Sequence, residues 1–145
     1  MSEAAKSPRN LFERLGGTPV KPSIVVVDDL AQSRDRAAAL LTDEGYDVSM
    51  ASGGEEALQG MLKSRPSAVL FQILEPAKEA IDFVRQMALS RLATSVPVVL
   101  ITALNEFQLG SFLNGVPGVR RILYSPCPPA ALKHAVAQAV RYSHL

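Results

Sequence analysis

The chain has 145 residues and a formal net charge of +1, which suits one domain with a hydrophobic core and argues against a nucleic-acid binder that relies on a large basic surface. A single cysteine, Cys127, excludes an internal disulfide, and no apolar run reaches the ~18 residues that span a membrane. Because the N-terminus also lacks a signal-peptide core, we expect a cytoplasmic protein that binds no nucleic acid and does not insert into a membrane.

Residues 1–22 differ from the rest of the chain because they are polar and rich in proline and glycine. Residues 10–15 have the composition of one or two helical turns, but an isolated helix of that length is marginal in water. We predict a flexible leader over residues 1–22, with a docking peptide as the alternative, and a folded domain over residues 23–145.

From residue 23 onward, apolar runs alternate with amphipathic segments, which predicts five βα units. Gly45 stands where a glycine commonly ends a helix, and Leu89 is placed on the inward face of the third helix. The predicted strands are β1 (23–27), β2 (46–51), β3 (67–71), β4 (96–101) and β5 (119–123). The predicted helices are α1 (31–44), α2 (from the turn at 52–56 to the residue before Pro66), α3 (77–91), α4 (105–114) and α5 (128–142).

Regular alternation of strands and helices implies an α/β fold: a parallel sheet with right-handed crossovers and helices on both faces. The near-continuous apolar strands β1, β3 and β4 fit central strands that are covered on both sides. Polar residues follow each of these strands, and in an open parallel sheet the carboxyl ends of the strands form the edge where ligand and reaction sites collect. These polar residues are Asp28 and Asp29 after β1, Gln72 after β3 and Thr102 after β4.

The segments at this edge resemble the receiver domain of two-component response regulators. The matching stretches are residues 27–34, 45–48, 51–58, 65–76, 96–103 and 123–126, and the resemblance extends from Ser23 to the C-terminus. It implies a doubly wound (βα)5 fold of the flavodoxin and CheY type, with sheet order 2-1-3-4-5. It also implies that Asp28 and Asp29 help to hold Mg²⁺, that the Thr102 hydroxyl contacts phosphate, and that the peptide bond before Pro126 is cis.

Three positions depart from the receiver pattern. Gln72 stands where the family has its phosphate-accepting aspartate, Ser125 where it has a phosphate-pairing lysine, and Ile122 where it has an aromatic switch residue. A neutral amide is too weak a nucleophile to form a stable phosphoryl adduct, and Mg²⁺ prefers carboxylate oxygens. We therefore predict a pseudo-receiver with no enzymatic activity, no cofactor and, at most, a weak Mg²⁺ site at Asp28 and Asp29. The two acids would be structural remnants that hold a proton or accept hydrogen bonds from Gln72 and Ser125.

No effector domain is expected after α5, so the resemblance implies a stand-alone receiver in a bacterial two-component-type signalling system. It would act by phosphorylation-independent protein–protein interaction through the α4-β5-α5 face, with another protein or in a homodimer. Without the aromatic switch, we expect a single fixed conformation. The candidate residues of that face are Phe107, Leu109, Phe112, Arg120, Arg121, His134 and Arg141.

Three alternatives stay open. The domain could be phosphorylated at a non-standard residue, for which Glu75 and Ser125 are the candidates. It could sense a small molecule in the emptied acid pocket or on the α4-β5-α5 face, which requires a concave apolar pocket with a few polar groups. It could also serve only as a dimerisation unit.

Overall fold

The structure is a computed structural model that describes residues 21–73, 78–90, 95–103 and 118–143. The labels of the predicted elements are kept. The strands are β1 (Ser23–Val27), β2 (Asp47–Ala51), β3 (Ala68–Ile73), β4 (Val98–Thr102) and β5 (Val119–Tyr124). The described helices are α1 (Ala31–Asp43), α2 (Gly54–Lys63), α3 (Lys78–Leu89) and α5 (Pro129–Ser143). Predicted helix α4, leader residues 1–20 and Glu75 lie outside the described residues.

The five strands form one parallel sheet in the order β2-β1-β3-β4-β5, which confirms the predicted topology. The strand β3 is longer than predicted, because Gln72 pairs with Ile101 and Ile73 pairs with Thr102. The position that departs most from the receiver pattern is therefore a strand residue rather than a loop residue. Among the described residues, no helix is both long enough and apolar enough to cross a membrane.

Alternate side chains of the strands enter two apolar layers, one on each face of the sheet. Val27, Phe71 and Leu100 belong to the layer covered by α2 and α3. Leu70 and Ile101 belong to the layer covered by α1 and α5. Burying one such side chain completely contributes about 1.5–3 kcal/mol relative to leaving it exposed, so burial on both faces makes the central strands the rigid platform for the edge residues.

Helix α1 ends in a Schellman motif at Gly45, as the glycine predicted. Gly45 has a φ of 96°, and its N–H donates to the carbonyl oxygen of Thr42 at 3.0 Å. The N–H of Tyr46 donates to the carbonyl oxygen of Leu41 at 3.2 Å, which completes the motif. Since φ is positive at Gly45, any other L-residue there would be strained.

The inward position predicted for Leu89 was wrong. The buried residues of α3 are Phe83, Val84 and Met87, whereas Leu89 is 86% exposed. Residues of a helix advance by about 100° each, so a residue five positions after Val84 lies on a different face. The prediction did not take this rotation into account. Leu89 is also the last residue of the helix, where an apolar side chain can lie in solvent.

The start of α2 is fixed by a close approach to α3. A Cβ at Gly54 would lie 3.1 Å from Cβ and 3.2 Å from Cδ1 of Phe83, whereas a Cβ at Gly60 in the same helix would meet nothing within 4 Å. A side chain at Gly54 would therefore be in tight contact with Phe83, and one of the two residues would have to shift by a few tenths of an ångström.

Candidate functional site

The sheet register brings the sequence-predicted polar residues to one edge. Val27 pairs with Phe71, so Asp28 and Gln72, which follow them, are neighbours at the carboxyl ends of β1 and β3. The N–H of Ser125 donates to the carbonyl oxygen of Thr102 at 2.7 Å, which holds the segment after β5 against the end of β4. The four strands β1, β3, β4 and β5 therefore contribute to a single site.

Asp28 is buried, with 1% exposure, and its own β1–α1 segment satisfies its carboxylate. The N–H of Leu30 donates to Oδ1 at 2.9 Å, and the hydroxyl of Ser33 donates to Oδ2 through a short bond. The guanidinium of Arg34 donates to the backbone carbonyl of Asp28 at 2.9 Å. This differs from the expectation that Gln72 and Ser125 would hydrogen-bond the acids.

The sequence interpretation missed the roles of Ser33 and Arg34. Both lie in the first turn of α1, and a serine in this position readily bonds to a nearby backbone or carboxylate group. The two residues lie five and six positions after Asp28. After a short bend, the first turn of a helix places side chains at this spacing close to the end of the preceding strand, so their roles could have been predicted from the sequence.

The carboxylates present do not reproduce the Mg²⁺ site that the resemblance implies. Asp29 is exposed, both oxygens of Asp28 already accept protein hydrogen bonds, and Gln72 offers only an amide oxygen. Within the described ranges, no group of three or more His, Cys, Asp or Glu side chains is arranged to hold a metal ion. A site with one free carboxylate fits a hard divalent cation poorly, since such cations rely on charged oxygen ligands.

Gln72 and Ser125 line one cavity of about 440 Å³ between α1 and the segment that joins β5 to α5. Gln72 is half-buried, and within the described part of the chain neither its amide nor the Ser125 hydroxyl has a protein hydrogen-bond partner. The remaining lining residues are Ser33, Arg36, Ala37, Leu40, Asp43, Ile101, Pro126, Cys127, Pro129 and Leu132. The two positions that depart from the receiver pattern thus share a concave space.

Thr102 does not share the face of Gln72. Its neighbour Ile101 belongs to the layer under α1 and α5, and successive strand residues point to opposite faces, so Thr102 belongs to the α2 and α3 side. Thr102 is fully buried. Thr102 is not among the residues that line the cavity that contains Gln72 and Ser125.

The segment after β5 contains the predicted cis bond and the single cysteine. The Ser125–Pro126 peptide is cis, which confirms that prediction. Cys127 is half-buried in the cavity wall, and burial raises the pKa of its thiol above the ordinary value. A raised pKa keeps the thiol protonated at neutral pH, and a protonated thiol is a weak nucleophile.

A second charged cluster borders the acid pair at the start of α2. The backbone N–H of Ser52 donates to Oε2 of Glu56 at 3.0 Å, and the Ser52 hydroxyl donates to the same oxygen at 2.8 Å. These two bonds are the main reason why the pKa of Glu56 is lowered, and the positive charge of Arg34 lowers it further. Arg34 therefore lies near both the end of β1 and the start of α2.

The described part of the predicted partner face is exposed and basic. Arg120, Arg121, His134 and Arg141 are all exposed, and Nη1 of Arg121 donates to Oε1 of Gln138 at 3.1 Å. The β4–β5 register contains a bulge, because Val119 pairs with Val98 while Arg121 pairs with Val99. Charges and a bulge are common on edge strands and discourage strand-to-strand association, so this edge favours side-chain-mediated contacts.

Ile122 is half-buried against the α2 and α3 layer. Phe107, Leu109 and Phe112 lie outside the described residues.

Comparison with known families decides the identity of the fold. The family model described as "Response regulator receiver domain" matches residues 24–137. The chain belongs to this receiver family. Receiver domains are regulatory parts of two-component signalling systems, which agrees with the predicted role in signalling.

Similar solved structures support the same fold. A CheY-like receiver domain protein of Methanospirillum hungatei superposes with a TM-score of 0.75 at 20% identity, over 86% of this chain and 98% of that chain. Chemotaxis protein CheY4 of Vibrio cholerae gives a TM-score of 0.74 at 22% identity, over 83% of this chain and 99% of that chain. At these identities the likeness shows the fold alone.

Similar curated proteins are longer regulators. The chain is 37% identical over 86 residues to the probable transcriptional regulator ycf27 of Pyropia yezoensis, covering 59% of this chain and 34% of that protein. It is 32% identical over 84 residues to the DNA-binding response regulator MtrA of Mycobacterium leprae, covering 58% of this chain and 36% of that protein. The chain thus spans about a third of the length of these relatives.

The expectation that no nucleic acid is involved was wrong, because a relative of this chain is a DNA-binding response regulator. The expectation rested on the formal charge of +1. A regulator can carry its basic DNA-binding surface in a part of the protein that the match does not cover, so a near-neutral receiver domain does not exclude a nucleic-acid partner.

Proposed function

We propose that this receiver domain is a pseudo-receiver that acts by docking to a protein partner without phosphoryl transfer at its acceptor position. The observation that carries the proposal is Gln72, which occupies that position within β3 beside the buried Asp28. The domain has no enzymatic role in this proposal and needs no cofactor.

The chemistry of phosphoryl transfer supports the proposal. A receiver that accepts a phosphoryl group needs a carboxylate nucleophile, a divalent cation and a positive charge for the transferred group. Gln72 supplies a neutral amide, Ser125 supplies a hydroxyl without charge, and both oxygens of Asp28 already accept hydrogen bonds. Each of the three requirements is therefore weakened by a different residue of the same site.

The exposed arginines support a protein partner with an acidic surface. Arg120, Arg121 and Arg141 lie on β5 and α5, and Arg guanidinium groups pair with carboxylates in a bidentate geometry. Docking of this kind requires no change in the phosphorylation state, since the basic side chains are exposed as they stand. A homodimer through the same face, a stand-alone arrangement and a cytoplasmic location stay predictions.

The experiment that tests the proposal is an NMR titration of the protein with Mg²⁺ and then with beryllofluoride, a mimic of the phosphoryl group. We expect no saturable amide shifts at Asp28, Asp29, Gln72 or Thr102. The matched control is the double variant Gln72→Asp/Ser125→Lys, which restores the family residues and should respond to both additions. Saturable shifts in the unmodified protein that extend to β5 would contradict the proposal.

Phosphorylation at a non-standard residue is tested in parallel. The protein is incubated with acetyl phosphate and Mg²⁺ and analysed by intact-mass spectrometry. We expect no phosphoryl adduct, because a serine hydroxyl without an adjacent general base is a weak nucleophile. An adduct that maps to Ser125 or Glu75 would replace the proposal with conventional signalling at a new position.

A further inference from the structure

We propose that the cavity between α1 and the β5–α5 segment binds an amphipathic organic carboxylate, and that this ligand takes the regulatory place of the phosphoryl group. The inference rests on the proposed function, since it assigns a new role to positions 72 and 125 once phosphoryl transfer is absent. It identifies the site and the chemical class of the ligand.

The cavity has the size and the location of a ligand site. Its volume of about 440 Å³ falls within the range of about 300–1,000 Å³ that is typical of small-molecule sites. It lies at the carboxyl ends of the strands, where open α/β sheets bind their ligands. The sheet contributes Gln72 and Ile101 to it, and α1 contributes one face of the helix.

The polar groups in the cavity are available to a ligand. The amide of Gln72 and the hydroxyl of Ser125 have no protein partner among the described residues, while the Ser33 hydroxyl is committed to Asp28. An amide and a hydroxyl can each donate to a carboxylate oxygen. A receiver with aspartate and lysine at these two positions would instead present a pair of opposite charges, which is costly to cover with an apolar molecule.

The apolar wall accounts for the body of the ligand. Ala37, Ile101 and Leu132 are buried and line the cavity, and Leu40 is half-buried beside them. Covering such a wall with an aromatic or aliphatic group removes apolar surface from water, at about 25 cal/mol for each Å². The wall therefore favours a ligand with an apolar body over a fully polar one such as inorganic phosphate.

The charged residues at the two ends of the cavity determine which charge the ligand should carry and how it should be oriented. Arg36 lies one turn after Ser33, and among the described residues it forms no ion pair or hydrogen bond. Asp43 lies seven residues further along α1, about 10 Å away along the helix axis. A single carboxylate is thus favoured at the Arg36 end and disfavoured at the Asp43 end, which excludes a dianion that spans the cavity.

The test uses phenylbutyrate as the probe and phenylbutyramide as its uncharged counterpart, with binding followed by amide shifts in NMR. We expect saturable shifts for phenylbutyrate at Ala37, Gln72, Ile101 and Leu132, including the side-chain amide of Gln72. Because the ion pair would be partly exposed, the amide should bind about two- to fivefold more weakly than the acid.

Two pairs of variants locate the site. Arg36→Gln should weaken phenylbutyrate binding about two- to fivefold, while Arg85→Gln on α3, on the other face of the sheet, should leave it unchanged. Ala37→Leu should fill the cavity and abolish the shifts, while Ala39→Leu at an exposed position of the same helix should not. If Ala37→Leu fails to fold, the arginine pair decides.

Several results would overturn the inference. The absence of saturable shifts at tens of millimolar phenylbutyrate, or binding that survives Ala37→Leu, would remove the site. Binding that ignores both Arg36→Gln and the change from acid to amide would remove the assignment to carboxylates. A silent phenylbutyrate titration together with a silent beryllofluoride titration would leave the proposed function standing, whereas a response to beryllofluoride would overturn that function whatever phenylbutyrate does.

Discussion

Replacing Asp28 by alanine distinguishes a structural acceptor from a leftover metal ligand. Asp28 is buried and accepts hydrogen bonds from the Leu30 N–H and the Ser33 hydroxyl. If these bonds hold the β1–α1 segment, their loss must destabilise the domain. If Asp28 is instead one of two crowded acids awaiting a cation, its removal should relieve repulsion and stabilise the metal-free protein.

The magnitude follows from the two bonds. A hydrogen bond to a charged group contributes about 1.5–3 kcal/mol. The Leu30 N–H would lose its partner, whereas the Ser33 hydroxyl lies 3.3 Å from the carbonyl oxygen of Leu30 and keeps an alternative acceptor. Arg34 bonds to the backbone of Asp28 and keeps its partner in the variant. We therefore expect Asp28→Ala to lower the free energy of unfolding by about 2–4 kcal/mol.

The assay is urea denaturation followed by circular dichroism, with and without millimolar Mg²⁺. Asp29→Ala is the matched control, because Asp29 is the adjacent acid and is exposed. A surface substitution of this kind should change stability by less than about 0.5 kcal/mol. Equal losses for the two variants, or an Asp28→Ala protein more stable than the unmodified chain, would refute the structural role of Asp28.

Three further predictions concern packing, pH and reactivity. Gly54→Ala should destabilise the domain by about 1–3 kcal/mol because its Cβ would lie 3.1 Å from Cβ of Phe83, while Gly60→Ala, with nothing within 4 Å, should stabilise it by up to about 1 kcal/mol in the same urea assay. The pKa of Glu56 is lowered below its ordinary 4.5, so its stabilising effect is present above that pH and is lost as the pH falls through the lowered value; the gap in urea midpoint between the unmodified protein and Glu56→Gln should close in acid. Burial raises the pKa of Cys127, so the folded protein should react with an aromatic disulfide reagent at neutral pH more slowly than the urea-unfolded chain, and equal rates would contradict the burial.

The sequence predicted the fold well because the signals were redundant. Strands β1, β3 and β4 are almost continuously apolar, and the burial of both faces in the structure explains why. Gly45 marked the end of α1 because its positive φ suits glycine and few other residues. Strand order, in contrast, came from the resemblance to receivers, since periodicity determines which face of a strand is buried but not which strand is its neighbour.

The site was only partly predictable. Asp28 and Gln72 were identified because they follow apolar runs, and Ser125 because it matches the lysine position of receivers; the structure brings all three to one edge. Their partners were not predicted, because a carboxylate of Asp28 can bond to any donor within reach and only the bend into α1 selects Leu30 and Ser33. The size and shape of the cavity could not be predicted from the sequence either, because they depend on the distance between α1 and the segment after β5.

The two departures at positions 72 and 125 become intelligible together. Compared with the receiver pattern, Gln72 in place of aspartate removes one negative charge, and Ser125 in place of lysine removes one positive charge. The net charge of the pocket therefore stays unchanged. Either change alone would leave an unpaired charge in a cavity lined by Ile101 and Leu132, and a poorly solvated charge without a partner is costly. With both changes, the pocket keeps polar groups at positions 72 and 125 but loses the charges at these two positions, so it becomes compatible with the apolar body of a ligand. In the proposed function, this pair of residues would disfavour phosphoryl transfer and would leave the edge of the sheet open to a regulatory ligand.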